Sequence, residues 1–171
     1  MNSRLILCLG NELLSDDGLG LVVARRLQES PQPICADVYS TALAGFSLLD
    51  VITGRREILI VDAIVTGAAS PGTIHEFPVI QLAPTWNLTS SHHVSLPTVI
   101  EMGRLYGMSM PEHIDVIAVE AADVLTLHEG LTPSVARAVS EVVAFARRWA
   151  GWPVLPRPTV GEFPADIRQL P

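Results

Sequence analysis

The stretch "RLILCLGNELLSDDGLGLVVARRLQE", Arg4–Glu29, predicts a strand, a loop and a helix in direct succession. Its first part, "RLILCLG", is a nearly uninterrupted apolar run that ends in glycine, as is typical of strands buried on both faces of a sheet. From Asp17 onward, apolar residues return every three or four positions, which is the period of an α-helix. The acids begin this segment and Arg25 and Arg26 lie nearer its end, in the order that the helix dipole favours.

The alternation of strand-like and helix-like segments continues along most of the chain. Further strands are predicted at Ile34–Ser40, Glu57–Val65, Gly72–Phe77 (at an edge) and His113–Ala121, and helices at Gly45–Thr53, Ser95–Gly107 and Thr132–Gly151. Alternating units of this kind place a mostly parallel sheet between two layers of helices. The sequence therefore predicts an α/β fold, a three-layer α/β/α sandwich with a mostly parallel, twisted central sheet.

The length and composition indicate one domain followed by a tail. The chain has 171 residues, 49% of them hydrophobic, which is enough for a single domain with a substantial core. We predict that this domain comprises residues 1–150 and that residues 151–171, which include five prolines, form an extended tail. Cys8 and Cys35 lie in apolar runs and are expected to be small buried core residues.

Charge and hydropathy argue against two classes of partner. The formal net charge of −7 opposes nucleic-acid binding, which requires a basic surface. No apolar run approaches the about 18 residues needed to cross a bilayer, and the beginning of the sequence lacks the pattern of a secretory signal. We therefore expect a soluble, cytoplasmic protein that has neither a nucleic-acid nor a membrane partner.

Polar side chains concentrate where the predicted strands end, which is where α/β sheets bind ligands. The first loop carries Glu12, Asp16 and Asp17 and contains no Lys or Arg, so it is poorly suited to bind a phosphate. Asp62 ends the apolar run "ILIVD", and "SSHH", Ser90–His93, precedes the next predicted helix. Carboxylates together with an imidazole suit a divalent transition metal better than Ca²⁺ or Mg²⁺. Three protein ligands would leave coordination positions open, as a reactive or substrate-bridging metal requires.

Simpler interpretations of the same residues stay open at this point. Asp16 can cap the first helix, and Asp17 can be favoured there only by the helix dipole. A pair of histidines in a serine-rich loop can be an ordinary solvated loop. A serine or cysteine nucleophile is less well supported, because the GxSxG motif is absent and neither cysteine has an electropositive setting.

Four segments together resemble the hydrogenase maturation protease family, from about Leu5 to Ala146. They are "LGNELLSDDGLG", "ILIVDAIVTGAASPGTIHEF", "SSHHVSLPTVIEMGRLYG" and "VEAADVLTLHEGLTPSVARAV". The resemblance implies a metal-binding and catalytic site formed by Asp17, Asp62 and His92, with His93 as the alternative histidine, and leaves Asp16 to the helix. Several relatives carry an acidic or Gly-Gly-Thr segment after the second strand, whereas this chain has "YSTALAG", so any polar role there would fall to Ser40 or Thr41.

The family's activity gives the functional expectation. Its members are aspartic-type endopeptidases that process the large subunit of nickel–iron hydrogenases. The resemblance implies that this protein, acting as a monomer, recognises the nickel of a loaded large-subunit precursor and removes a C-terminal extension. Nickel would be supplied by the substrate, and zinc or another divalent metal could bind the isolated protein. The alternatives are a metal-binding assembly factor that does not cleave and a zinc metallopeptidase of other specificity.

Overall fold

A computed structural model describes residues 3–30, 34–79, 87–88 and 96–151. In these ranges one sheet contains six strands: β1 (Arg4–Leu9), β2 (Asp37–Thr41), β3 (Glu57–Val65), β4 (Ile74–Pro78), β5 (Asn87–Leu88) and β6 (His113–Glu120). The strand order is β2-β1-β3-β6-β4, and β5 pairs with the end of β3. The pairs β1–β2, β1–β3 and β3–β6 are parallel, whereas β4 and β5 are antiparallel to their neighbours.

Helices cover both faces of this sheet, which confirms the predicted sandwich. They are α1 (Leu19–Gln28), α2 (Leu49–Ile52), α3 (Leu96–Leu105) and α4 (Pro133–Gly151). One buried cluster joins the sheet to α1 and α4, and a second joins it to α2 and α3. Among the described residues, no helix combines the length and the apolar character needed to cross a membrane.

β3 is the central strand, and its sequence explains that position. All of its residues except Val65 are buried, because β1 and β6 flank it and helices lie over both faces. Side chains alternate between the two clusters, so Leu59 packs towards α1 and α4, whereas Ile58 and Ile60 pack towards α2 and α3. Each such side chain contributes roughly 1.5–3 kcal/mol through burial.

Two glycines shape the passage from β1 to α1. Gly10 has a φ of +142°, and a Cβ there would overlap the carbonyl oxygen of Asp17. A Cβ at Gly20 would overlap the carbonyl oxygen of Leu9, because α1 packs directly on the end of β1. The glycines let the loop double back so that Asp17 lies at the carboxyl end of the sheet.

Several local predictions are corrected. β2 begins at Asp37 and not at Ile34, and Cys35 lies in an exposed bend before this edge strand, so its predicted burial is wrong. α1 begins at Leu19 after a 3-10 turn, later than expected. The short strand β5 was not predicted. The predicted Ser95 cap and the tail after Gly151 lie outside the described residues.

Candidate active site

Asp17 lies in the 3-10 turn Ser15–Gly18 and has only 3% of its surface exposed. Its Oδ2 accepts a hydrogen bond from the backbone N–H of Asn11 at 2.8 Å. Its other carboxylate oxygen, Oδ1, is buried and has no hydrogen-bond partner among the described residues. Since a buried, unsatisfied carboxylate oxygen is costly, this atom is well suited to bind a cation.

Asp62 is fully buried near the carboxyl end of β3. Ile60 and Ile64, two residues away on either side, belong to the cluster beneath α2 and α3, so the Asp62 side chain lies on that face. Its Oδ1 accepts a hydrogen bond from the N–H of Ala63 at 2.8 Å. The 3-10 turn that carries Asp17 contacts β3, which carries Asp62. The two elements that hold these carboxylates therefore meet at the carboxyl end of the sheet.

The buried Cys8 is not a nucleophile at neutral pH. Burial, together with the negative charge of Asp62, raises the pKa of the Cys8 thiol to about 12. The thiol therefore stays protonated, and thiolates rather than thiols attack carbonyl carbons and bind metals. The second cysteine, Cys35, is exposed in the bend that precedes β2, at the end of this strand opposite its carboxyl end.

His92 and His93 lie outside the described residues, so their role stays a prediction. The described chain before them lies at the carboxyl end of the sheet, because Leu88 of β5 pairs with Ile64 near the end of β3. After them, the described chain resumes at Leu96, where α3 begins. Along one side of β3, β6 pairs with it as far as Ile64. Along the other side, β1 pairs with β3 only as far as Val61, so β5 pairs with β3 on that side, beyond the end of β1. Across the described ranges, no three His, Cys, Asp or Glu side chains are close enough to hold a metal ion.

Asp16 does not cap α1, contrary to the prediction. The capping position of α1 is occupied by Gly18, which has no side chain to form a capping bond. The fully buried carboxylate of Asp16 instead faces the connection between β6 and α4. There it accepts hydrogen bonds from the N–H groups of Ala122 (2.8 Å), Asp123 (3.0 Å) and Thr132 (2.7 Å) and from the Thr132 hydroxyl (3.0 Å). Asp16 thus joins the first loop to the beginning of α4.

Backbone hydrogen bonds reinforce this junction between two loops. The N–H of Ser15 donates to the carbonyl of His128 at 2.9 Å, and the N–H of His128 donates to that of Leu13 at 3.1 Å. Ser15 has a φ of 48°, the sole positive value for a non-glycine residue in the described ranges. Glu12, the remaining acid of the loop, forms an exposed ion pair with Arg25. Of the three loop acids, only Asp17 retains a buried oxygen that has no partner in the ranges that the structure describes.

Glu120, at the end of β6, is a buried acid that was not among the predicted site residues. Its carboxylate accepts hydrogen bonds from the N–H (2.9 Å) and hydroxyl (2.8 Å) of Thr66 and from the N–H of Gly67 (3.1 Å), and lies 3.1 Å from His75 Nε2. Burial opposes its ionisation, but these hydrogen bonds together lower the pKa of Glu120 below its ordinary value. Through these hydrogen bonds, Glu120 stabilises the turn that follows β3, the strand that contains Asp62. The sequence feature that could have identified Glu120 is its position as a charged residue at the end of an apolar strand.

Ser40 and Thr41 end β2 beside the first loop. Ser40 is exposed, and the carbonyl of Thr41 accepts a hydrogen bond from the N–H of Gly10 at 3.2 Å. The Thr41 hydroxyl oxygen accepts one from the N–H of Leu43 at 3.0 Å. Thr41 therefore supports the beginning of the first loop through its backbone, and a direct role of either side chain in the site stays a prediction.

Comparison with known proteins gives the same fold and a family. The sequence model of the hydrogenase maturation protease family matches residues 23–149. The hydrogenase 2 maturation protease of Escherichia coli K12 is 29% identical over 165 residues, covering 91% of this chain and 97% of that protein.

Solved structures agree along nearly their whole length. The hydrogenase maturating endopeptidase HybD from E. coli superposes with a TM-score of 0.66 at 26% identity, over 86% of this chain and 93% of that one. The NiFe hydrogenase maturation protease HybD from Thermococcus kodakarensis gives 0.64 at 26% identity, over 86% and 98%. An endopeptidase from E. coli, solved in solution, gives 0.68 at 29% identity, over 85% and 93%. The chain therefore belongs to the hydrogenase maturation protease family and is an endopeptidase of that family.

Proposed function

We propose that this protein removes the C-terminal extension of a nickel–iron hydrogenase large-subunit precursor that already contains nickel. It recognises that nickel through Asp17, Asp62 and a histidine, His92 in the first instance and His93 as the alternative. The observation that carries the proposal is the buried Asp17 Oδ1, which has no hydrogen-bond partner within the described part of the chain. Membership of the protease family supports the reaction type.

The chemistry of the ligand set matches this role. Asn11 holds one oxygen of Asp17 and leaves the other for a cation. Oxygen and imidazole ligands suit divalent transition metals. Three ligands from the protease leave positions for the groups that hold the metal in the precursor. Nickel is thus part of the substrate, and a precursor without nickel lacks this contact with the protease. In isolation the same ligands can hold zinc or another divalent metal.

The test compares cleavage of nickel-loaded and nickel-free precursor by the purified protein, with the shortened chain detected by mass spectrometry. We expect cleavage of the loaded precursor alone. Asp17→Asn and Asp62→Asn keep the side-chain shape but remove the charge, and each should abolish cleavage. Glu12→Gln is the matched control, because Glu12 lies in the same loop but is paired with Arg25 at the surface.

The same assay separates the alternatives. Comparison of His92→Ala with His93→Ala identifies the histidine, since only the variant of the ligand should lose activity. Equal cleavage of loaded and nickel-free precursor would refute nickel recognition. A stable complex without any shortened chain would indicate an assembly factor instead of a protease. Cleavage of unrelated peptides with stoichiometric zinc would indicate a zinc metallopeptidase.

A further inference from the structure

Exposed apolar side chains concentrate at the carboxyl ends of the strands, where the candidate site lies. Of the nine large apolar residues exposed in the described ranges, six lie in or beside the loops at the carboxyl ends of the strands: Leu13, Leu43, Phe46, Val65, Leu125 and Leu127. Leu125 and Leu127 are the most exposed of all, at 86% and 80%. Contiguous apolar groups on a protein surface mark interaction sites more often than scattered single ones do.

Three of these residues form one surface across two loops. Leu14 and His128 form a parallel β-bridge, and the N–H of His128 donates to the carbonyl of Leu13, so Leu13 and Leu127 are neighbours across the two loops. Leu125 is two positions before Leu127 in the same loop. We call Leu13, Leu125 and Leu127 the leucine surface.

Hydrogen bonds hold the leucine surface in place, so its exposure does not come from a frayed loop. Asp16 binds the β6–α4 loop through the N–H groups of Ala122, Asp123 and Thr132. The Asp123 carboxylate accepts further hydrogen bonds from the N–H groups of Leu125 and Thr126, each at 3.0 Å. A rigid apolar surface loses little conformational freedom when a partner binds. The arrangement is therefore preorganised for docking.

We infer that the leucine surface docks an apolar segment on the folded hydrogenase large-subunit precursor, which rests on the proposed function. The N–H of Leu13 donates to the side-chain oxygen of Asn11, and the N–H of Asn11 donates to Asp17 Oδ2, so the leucine surface begins beside the Asp17 carboxylate and a protein that binds there meets both. A second copy of this chain seated there would obstruct the approach to Asp17. The precursor is the occupant whose binding both features serve.

The experiment measures docking apart from the metal. The dissociation constant for nickel-free precursor is determined by surface plasmon resonance for the full-length protein and for Leu13→Ser, Leu125→Ser and Leu127→Ser. The matched control is Leu105→Ser, since Leu105 is 76% exposed but ends α3 near the beginning of β6, where the neighbouring Arg104 donates to the carbonyl of Pro111. We expect each leucine-surface variant to weaken binding about tenfold, equivalent to about 1.4 kcal/mol. The control should bind as the unchanged protein does.

The outcomes distinguish this inference from the proposed function. Unchanged binding of nickel-free precursor by all three variants would overturn the docking surface, whatever the cleavage assay shows. Weaker binding by these variants but not by Leu105→Ser supports it, even if cleavage proves independent of nickel. Analytical ultracentrifugation tests a second copy as the occupant. A dimer that the leucine variants dissociate would overturn the assignment to the precursor, and a monomer in every case supports it.

Discussion

Replacement of Asp16 by alanine tests whether this residue joins two loops or merely caps a helix. The substitution would leave the N–H groups of Ala122, Asp123 and Thr132 without their acceptor. An unsatisfied donor costs about 1–3 kcal/mol when buried, and these groups are part-buried. Relief from burying a charge offsets some of the loss. We therefore expect Asp16→Ala to lower the free energy of unfolding by about 3 kcal/mol, against about 1 kcal/mol for the loss of a helix cap.

Urea unfolding followed by circular dichroism measures this difference. The urea concentration at the midpoint should fall. The slope of the unfolding free energy against urea concentration should stay constant, because unfolding exposes the same surface area. Glu12→Ala removes an exposed ion pair from the same loop and should cost less than about 1 kcal/mol. Hydrogen exchange supplies a local reading, since the Ala122 and Thr132 amides should lose protection in Asp16→Ala. A loss of about 1 kcal/mol or less with normal protection of these amides would refute the joining role.

Three further predictions concern the fold and its titrating groups. Gly20→Ala should destabilise the protein by about 3 kcal/mol in urea unfolding, because its Cβ would overlap the backbone of β1. Gly151→Ala is the control and should cost less than about 1 kcal/mol, because a Cβ there meets open space and the backbone is helical. The pKa of Glu120 is lower in the folded state than in the unfolded state, where it is about 4.3. The ionised Glu120 therefore adds fully to the free energy of unfolding above the unfolded pKa, and this stabilisation is lost as the pH falls through the lower folded pKa. The difference in unfolding free energy between the unchanged protein and Glu120→Gln should accordingly stay constant from pH 6 to 8 and shrink below about pH 4; a constant difference throughout would contradict the shift. Iodoacetamide at pH 8 should label Cys35 and spare Cys8, as mass spectrometry of the native protein would show, and rapid labelling of Cys8 would contradict its burial.

Elements that depend on neighbouring residues were predictable from the sequence. The strand Glu57–Val65 has the predicted limits, because its long apolar run can be buried only in the middle of a sheet. The last helix begins at Pro133, directly after the predicted cap position Thr132. The edge position of β4 also follows the expectation. Such features rest on local backbone preferences and on side-chain periodicity.

Features that depend on distant partners were not predictable in this way. Asp16 has the residue type and position of a helix cap, but its partners lie 106 to 116 residues further along the chain. Cys35 belongs to an apolar run, yet an edge strand cannot bury the bend that precedes it. The two residues of β5 are too few to give a pattern of their own.

By itself, the sequence determined the α/β architecture, the position of the acidic loop at the carboxyl end of the first strand, and the resemblance to a protease family. The tertiary structure decided how the acids of that loop divide their roles. Asp16 is satisfied by donors from the β6–α4 connection, whereas Asp17 retains a buried oxygen for which no described residue is a hydrogen-bond partner. The physical reason is that burial and hydrogen bonding depend on which distant backbone groups reach each carboxylate, and adjacent residues of one type give no local signal of that difference.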